Sequence, residues 1–369
     1  MVGSCGRRMI ACAHSKHVGT AIRVDCMAIG LGLSIGTVNT VSALAGAAAP
    51  ASGRRRRVRR EPAVTRRTTL TFDSTGAARV GLIPRHGRAV SEFADLGRRR
   101  TVTARVGNRS LSSADLVALV TDRVIGEVRR ERGIEETAVA LTHPAGYTAD
   151  HLGALRAALD GLGLDEVALV AEPVAAATWF EVEHGPLTPG LALVYDLGGA
   201  CLDVALVRVG TGEPSAPIVG RPVRSERYGG RAFGALVARD GAARATEQLR
   251  AEHVKASLEV VYRCLTTADV TMADVDRVLV VGGAARPGEV ARVLGEELAR
   301  PVVIAADPER TVADGAALLA RQAARVVPDA DGGRFRRGLW RAAAVAGMSA
   351  IGVGIAVGVP ADAVIAGVW

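Results

Sequence analysis

Two glycine-containing turns, one in each half of the chain, are the residues most suited to chemistry. GLSIGTVNTVSAL (Gly32–Leu44) and YDLGGACLDVALV (Tyr195–Val207) are both typical of strand, glycine turn and strand. They align with Ser34 against Asp196, as a faint internal repeat. Two such turns can close on a phosphate chain from opposite sides, because their N–H groups donate hydrogen bonds and glycine permits close approach. The sequence therefore predicts a phosphate site between two related units.

Two further features extend this phosphate site towards a metal and a nucleoside. Asp196 ends a strand-like run, where a carboxylate can hold the water shell of Mg²⁺. A third glycine turn, VVGGAARP (Val280–Pro287), lies between a strand-like and a helix-like run. Such a turn can lie flat against an adenosine. The three turns together favour a nucleotide.

Alternating strands and helices must position these turns. Runs of β-branched residues predict strands at Ala138–Thr142, Val167–Ala171, Ala192–Tyr195, Val204–Val209, Val278–Val281 and Val302–Ala305. Apolar residues at helical spacing predict helices at Ser113–Arg130, Thr148–Leu162, Glu289–Ala299 and Thr311–Val326. This alternation indicates layered α/β architecture.

Composition excludes several classes of protein. The chain has 369 residues, of which 49% are apolar, so it can bury a large core and is not wholly disordered. Its five scattered cysteines do not suit a disulfide-stapled secreted fold. The net charge is +8, but only Lys16 and Lys255 are lysines, which excludes a P-loop nucleotide site. The arginine-rich run Ser52–Arg67 lacks aromatic residues for base stacking, so we expect no nucleic-acid partner.

The two ends of the chain have different compositions from the body. Residues 1–26 show no sustained periodicity, and we interpret them as a dispensable leader or a consequence of start-site choice. Residues 342–361 carry no charge over the length that a helix needs to cross a bilayer. The preceding basic linker, 327–341, predicts that the N-terminal part is cytoplasmic. We therefore expect one membrane span with a tail at 362–369; the alternative is a buried Ala/Gly-rich helix broken by Pro360.

Motifs in a fixed order along the body carry a family resemblance. GLSIGTVNT and YDLGGACLDV are similar to the two phosphate hairpins of the ATPase domain of the seventy-kilodalton heat-shock chaperones, within the actin-like superfamily. LTHPAGY with LVAEPVAAA resembles its connecting segment, and RAEHVKASL its adenine-contacting helix. VLVVGGAARPGEV is similar to its adenosine loop, and AADPERTVADGAALLA to its closing helix. The resemblance implies a two-lobed actin-like, ribonuclease H-like α/β fold, with a first lobe at 27–188 and a reduced second lobe at 189–326 whose closing helix returns to the first.

The resemblance also implies ligands and site residues. ATP or ADP with Mg²⁺ would bind between the lobes. Asp196, Glu172 and Asp203 would be the catalytic acids, and the first two would order Mg²⁺ and its waters. The residues that would cradle the phosphates or bracket the adenosine are Gly36, Thr37, Val38, Gly198, Gly199, Ala200, Glu252, Lys255, Gly282, Gly283, Arg286 and Glu309. Pro144 would be the relay proline that couples nucleotide state to a partner domain.

Departures from the family pattern predict weakened chemistry. Ser34 stands where the family has an acid, and no lysine occurs between Lys16 and Lys255 to reach the phosphates unless an arginine substitutes. Ala200 and Ala256 replace a glycine and a stacking arginine, and no peptide-binding β-sandwich follows residue 326. Because phosphoryl transfer depends on positioned charges, we expect weak ATP binding and slow or absent hydrolysis.

Three readings of function stay open. The leading one is a membrane-tethered, nucleotide-binding, chaperone-like switch that signals to an unidentified protein partner or client. The second is a scaffold of the same fold that no longer depends on nucleotide, and the third is an actin-like filament former. The G-x-S-x-G match at Gly32–Gly36 does not favour a serine hydrolase, because β-branched residues follow it where that elbow needs a helix.

Overall fold

The structure of the protein is a computed structural model, and it describes residues 29–46, 63–73, 75–82, 89–98, 102–106, 109–133, 137–212, 216–240 and 244–326. Within these ranges, the strands are β1 (Gly30–Ile35), β2 (Asn39–Ala45), β3 (Val64–Arg67), β4 (Thr69–Phe72), β5 (Ala78–Val80), β6 (Val90–Ser91), β7 (Ala104–Val106), β8 (Arg109–Leu111), β9 (Ala138–His143), β10 (Ala168–Ala171), β11 (Gly190–Leu197), β12 (Leu202–Val209), β13 (Ile218–Ser225), β14 (Arg277–Val281) and β15 (Val302–Ile304). The α-helices are α1 (Ser113–Arg132), α2 (Ala149–Asp160), α3 (Glu172–His184), α4 (Gly230–Asp240), α5 (Thr246–Thr267), α6 (Gly288–Leu298) and α7 (Thr311–Val326).

Two five-stranded sheets have the same topology. The first sheet has the order β10-β9-β1-β2-β3, and the second has the order β13-β12-β11-β14-β15. In each sheet a central antiparallel hairpin, β1–β2 or β11–β12, continues into two parallel strands on one side. A third antiparallel strand, β3 or β13, lies on the other side. The internal repeat predicted from the two glycine turns is therefore a repeat of the whole sheet.

Two helices cross from one sheet to the other. Helix α3 follows β10 of the first sheet but packs on β11 and β12, and α7 follows β15 of the second sheet but packs on β1, β9 and β2. Glycines permit these close crossings: a Cβ at Gly32 would lie 2.0 Å from the Ala313 carbonyl oxygen. A Cβ at Gly315 would lie 1.8 Å from the Ala175 carbonyl oxygen, where α7 crosses α3. The two sheets are thus joined through a small-residue layer.

Larger apolar side chains fill the outer layers. Leu31 and Leu141 of the first sheet pack with Leu155 of α2 in a core that also includes α1. Leu193 of the second sheet packs with Val261 in a core that includes α5 and α6. Burial of these faces supplies the main driving force for each half of the fold.

Local signals set the helix ends. The Ser112 hydroxyl accepts the Asp115 N–H at 3.2 Å, and the Asp115 carboxylate accepts the Ser112 N–H at 2.8 Å, which forms a capping box at the start of α1. Gly133 ends α1 with a φ of 61°, a conformation that glycine adopts at little cost.

The predicted mixed α/β architecture is confirmed, and each strand and helix that periodicity predicted within the described residues is present. Helices α3, α4 and α5 and strands β3 to β8 and β13 are additional to the elements that periodicity and the glycine turns predicted. In the part of the chain that the structure describes, no helix has both the length and the apolar character needed to cross a membrane. The predicted span at 342–361, the basic linker at 327–341 and the leader at 1–26 lie outside the described residues.

Candidate functional site

The turns of the two central hairpins have the same geometry. In the first turn (36–39), the Gly36 N–H donates to the Asn39 carbonyl oxygen at 2.9 Å. In the second turn (198–201), the Gly198 N–H donates to the Cys201 carbonyl oxygen at 2.9 Å. Each turn thus uses its first N–H internally and leaves its central N–H groups available.

The two turns lie against each other. A Cβ at Gly199 would come 2.4 Å from Val38 Cγ2 and 3.4 Å from Thr37 Oγ1. The N–H groups of Thr37, Val38, Gly199 and Ala200 donate to no acceptor among the described residues. The predicted phosphate-binding residues are therefore brought together as two adjoining sets of free backbone donors.

The start of α4 braces the second turn. The Gly230 N–H donates to the Gly198 carbonyl oxygen at 3.0 Å, and the Arg231 N–H donates to the Gly199 carbonyl oxygen at 2.8 Å. A Cβ at Gly229 would lie only 2.3 Å from the Ala200 carbonyl carbon. The carbonyl groups of the second turn are thus fixed from behind.

A row of charged side chains runs across the second sheet beside this turn. Asp196 on β11 lies directly opposite Asp203 on β12, which lies opposite Arg224 on β13. Glu172 is the first residue of α3 and lies near this row, because the charges of Asp196 and Asp203 act on it. The three predicted catalytic acids are therefore gathered in one cluster.

Burial and mutual repulsion shift the pKa values of these acids upward. Burial, followed by the charge of Asp203, raises the pKa of Asp196 to about 7. Burial, with the charges of Asp196 and Asp203, raises the pKa of Glu172 well above its usual range. Burial also raises the pKa of Asp203, although Arg224 opposes the shift. Burial and the neighbouring carboxylates therefore favour the protonated forms of these acids.

Arg224 links this cluster to the first half of the chain. Its Nη1 donates to both carboxylate oxygens of Asp203, at 3.0 and 2.9 Å, and its Nη2 donates to Asp95 Oδ2 at 2.8 Å. The Asp95 side chain is only 3% exposed. Burial lowers the pKa of Arg224, but Asp203 and its neighbours outweigh this effect and hold the guanidinium charged.

The loop after β9 fixes the backbone around Asp95. The Tyr147 hydroxyl accepts the Leu96 N–H at 2.9 Å and donates to the Ala94 carbonyl oxygen at 3.2 Å. Pro144, the predicted relay proline, lies in this same loop. The loop is thus connected to the acidic cluster through Asp95 and Arg224.

The third glycine turn lies beside Asp196. Gly282 has a φ of +96°, and a Cβ there would come 2.5 Å from Asp196 Oδ1. Glu309 lies over Gly283, where a Cβ would be 3.0 Å from Glu309 Oε1. Glu309 also accepts Asn39 Nδ2 at 2.6 Å and Arg286 Nη2 at 2.5 Å. Of the four predicted residues of this region, Gly282 therefore lies beside Asp196 and Glu309 contacts the first turn through Asn39, while Gly283 and Arg286 lie against Glu309.

Glu252 and Lys255 contact a different element. Lys255 Nζ donates to Glu297 at 2.8 Å, and Glu252 pairs with Arg244. The two residues line a shallow cleft of about 170 Å³ between α5 and α6. Arg250, earlier on α5, donates to Glu289 at 2.6 Å near the start of α6. The structure thus joins Lys255 to the C-terminal end of α6 and Glu252 to the segment before α5, and within the described residues it shows no direct contact between them and the turn around Gly282.

Comparison with known proteins identifies the family. The sequence profile of the family described as Hsp70 protein matches residues 93–239 and 239–326. The chain belongs to the Hsp70 family.

Curated relatives are similar over part of their length. The chain is 26% identical over 294 residues to the chaperone protein HscA homolog of Laribacter hongkongensis, covering 63% of this chain and 46% of the relative. It is 29% identical over 248 residues to chaperone protein HscA of Escherichia coli, covering 56% of this chain and 39% of the relative. The chain therefore spans less than half of the length of these relatives.

The residues of this Hsp70-family site suit a hydrated divalent cation. The Glu172 and Asp196 carboxylates accept no hydrogen bond within the described ranges, and burial, with neighbouring carboxylates, raises the pKa of both. Mg²⁺ takes oxygen ligands and usually keeps several waters, so one or two carboxylates suffice. The described residues contain no group of three or more His, Cys, Asp or Glu side chains placed to hold a metal. The donor set thus fits a cation held largely through water.

Sequence reasoning missed Arg224, Asp95 and the brace formed by Gly230 and Arg231. The lack of lysine in the first half had already called for a substituting arginine, which was a usable signal. It could not be assigned, because β13 contains Gly220 and Pro222 and does not have the pattern of a strand. The pairing of Arg224 with Asp95 also joins residues 129 positions apart.

Proposed function

We propose that this Hsp70-family chain binds ATP or ADP with Mg²⁺ between its two hairpin turns. One observation carries the proposal: the turns adjoin each other, and the four N–H groups at their centres have no acceptor in the described part of the chain. Free backbone donors from two sides are the arrangement that a phosphate chain requires. The neighbouring acidic cluster would hold the metal ion that accompanies a triphosphate.

The proposed roles follow the geometry. Thr37, Val38, Gly199 and Ala200 donate to phosphate oxygens through their N–H groups. Asp196 and Glu172 accept hydrogen bonds from the waters around Mg²⁺, which itself would neutralise phosphate charge. Asp203, fixed by Arg224, orients a water near the cluster.

The proposed adenosine site uses residues of the third glycine turn rather than the two hairpin turns. The turn from Gly282 to Arg286, together with Glu309, would flank the nucleoside, since it lies beside Asp196. Glu252 and Lys255 would contact the base only after exchanging their present partners, Arg244 and Glu297. This requirement supports the expectation of weak binding.

Binding is tested with the purified full chain and a fluorescent ATP analogue, with and without Mg²⁺. We expect saturable binding that Mg²⁺ strengthens. Gly199→Ala should weaken it, because the added methyl group pushes the turns apart. Gly153→Ala, an identical change on α2 with no atom within 4 Å of the added carbon, is the matched control. A folded protein with no saturable, Mg²⁺-dependent binding would refute the proposal.

Hydrolysis is proposed to be slow or absent. Ser34 occupies the position in the first sheet that Asp196 occupies in the second, so the first sheet supplies no acid there. Ser34→Asp should raise any residual rate of ATP hydrolysis, measured as released phosphate. An unchanged rate would show that the site is disabled elsewhere as well.

The wider role that we propose is a chaperone-like switch tethered to a membrane by residues 342–361, with its N-terminal part in the cytoplasm. The support is sequence alone: twenty residues without charge after a basic flank. Nucleotide binding would bias the relative positions of the two halves, and a protein partner or client would respond. Alkaline extraction of membranes tests the tether: the full chain should stay in the pellet, and deletion of 342–361 should release it.

A nucleotide-independent scaffold is the second candidate. Two ion pairs already join the halves through the chain's own charges, Arg224 with Asp95 at 2.8 Å and Arg231 with Glu92 at 2.7 Å. Such contacts could keep the halves together without a ligand. Absence of nucleotide binding in a well-folded protein would favour this candidate.

A further inference from the structure

We propose that Arg224 is the cation that contacts the terminal phosphate of the bound nucleotide and makes the site prefer a triphosphate to a diphosphate. The inference rests on the proposed nucleotide site and goes further, because it names the specificity-determining residue. It also places that residue on the second sheet, on an edge strand that sequence patterns did not reveal.

Charge balance makes a cation necessary at this site. Four carboxylates, those of Glu172, Asp196, Asp203 and Asp95, act together on the same region. A triphosphate adds further negative charge and would be repelled unless positive groups face it.

Among the described residues, Arg224 is the cation placed to face both the acidic cluster and a bound phosphate chain. It hydrogen-bonds two of the four carboxylates, and its charge is the one that counters their effect on Glu172. Other cations are engaged elsewhere. Lys255 pairs with Glu297 on the outer side of α5, and Arg286 pairs with Asp307 and Glu309.

The position of Arg224 in the sheet brings it close to the phosphate donors. It occupies the same cross-strand row as Asp196 and Asp203. This row lies two residues from Gly198 along β11, about 7 Å at the usual rise of a strand. Arg224 lies two strands across the sheet from β11, about 10 Å at the usual strand spacing, a span that an arginine side chain and a phosphate chain extending along the row would cover together.

The guanidinium is held in place with donors to spare. Arginine has five N–H donors. Nη1 serves Asp203 and one N–H of Nη2 serves Asp95, while the Nε–H and the other Nη2 N–H have no acceptor among the described residues. Its side chain is 25% exposed, so it is not sealed from solvent. A pre-positioned guanidinium with free donors is well suited to phosphate oxygens.

This arrangement predicts a selective effect on affinity. Removing Arg224 should weaken the binding of ATP, because the terminal phosphate loses its contact with the guanidinium. The affinity for ADP, which lacks that phosphate, should be nearly unchanged. The loss for ATP is expected to be at least about tenfold, the scale of one hydrogen bond between charged partners. An effect confined to the triphosphate distinguishes direct contact from a general loosening of the site.

The test measures the ratio of ADP to ATP dissociation constants for the purified full chain by displacement of one fluorescent nucleotide. The wild type is expected to give a ratio of at least ten, and Arg224→Ala a ratio near one with ADP affinity within about threefold. Arg227→Ala is the matched control. Arg227 lies three residues away and forms an exposed ion pair with Glu259 at 2.7 Å, so this change should keep the wild-type ratio. Circular dichroism verifies folding.

Each contrary outcome is decisive. A wild-type ratio near one, or a ratio that Arg224→Ala leaves unchanged, overturns this inference while the proposed nucleotide site stands. A wild type that binds neither nucleotide overturns both. If Arg224→Ala does not fold, Arg224→Lys provides the test. Lysine keeps the positive charge but lacks the planar guanidinium, so the ratio of ADP to ATP dissociation constants should fall below that of the wild type. An unchanged ratio in a folded Arg224→Lys protein overturns the inference.

Discussion

Contact between the two turns can be tested without any ligand, by adding a methyl group at Gly199. In the wild type, a Cβ at this position would lie 2.4 Å from Val38 Cγ2 and 3.2 Å from Val38 Cβ. Carbon atoms that are not bonded prefer separations of about 3.5–4.0 Å. Gly199→Ala must therefore displace Val38 or separate the turns.

The expected cost follows from overpacking. Insertion of a carbon into an occupied space typically lowers the free energy of unfolding by about 1–3 kcal/mol. Val38→Ala removes the methyl group that causes the closest contact, so Gly199→Ala should cost much less in that background. The two substitutions should therefore show a coupling of about 1 kcal/mol or more.

Urea unfolding followed by circular dichroism supplies the four free energies of this cycle. Gly153→Ala is again the control, and it should be neutral or stabilising, because alanine favours helices by about 1 kcal/mol over glycine. Effects of Gly199→Ala and Val38→Ala that simply add would mean that the turns do not touch. The basis for a phosphate site between them would then be lost.

Three further substitutions test other parts of the structure. Gly32→Ala should lower the free energy of unfolding by about 3 kcal/mol in urea titrations, since its Cβ would lie 2.0 Å from the Ala313 carbonyl oxygen and force α7 off the first sheet. Tyr147→Phe should cost about 1–2 kcal/mol in the same assay, because two buried hydrogen bonds beside Asp95 are lost. The pKa of the Asp196 carboxyl is about 7 in the folded state, against 3.8 in the unfolded state. Between these two pH values the folded state binds more protons than the unfolded state, so the free energy of unfolding falls as pH rises. Asp196→Asn should flatten this dependence, measured as urea midpoints at pH 5 and pH 8; a midpoint difference equal to that of the wild type would contradict the assignment.

The sequence could predict those parts of the fold whose signals are local. Buried parallel strands such as β9 and β14 have continuous apolar runs, and α7 has a regular apolar stripe, so their positions were predictable. The two glycine turns were recognisable because the same pattern occurs twice. Edge strands such as β3 and β13 carry arginine, glycine or proline and lack an apolar pattern, so they were not recognised.

The parts of the site that could not be predicted depend on contacts between distant segments. Arg224 meets Asp203 only because β13 lies beside β12, and it meets Asp95 only because the halves are closed on each other. Nothing in the spacing of these residues indicates either contact. Their partnership is a property of the folded chain, whereas the phosphate turns were visible as local motifs.

Comparison of equivalent rows in the two sheets shows where the chemistry is concentrated. The same three cross-strand positions hold neutral residues in the first sheet and charged residues in the second: Ser34, Val41 and Thr65 against Asp196, Asp203 and Arg224. The first sheet therefore contributes N–H donors and structural support, while the second contributes acids and the arginine. An acid introduced at Ser34 would add a carboxylate to a region that already holds those of Glu172, Asp196, Asp203 and Asp95. Its effect on ATP should consequently depend on Mg²⁺: weaker binding without the metal ion, and a gain only in its presence. A Ser34→Asp protein whose affinity for ATP is equally changed with and without Mg²⁺ would show that position 34 does not share the electrostatic environment of the cluster.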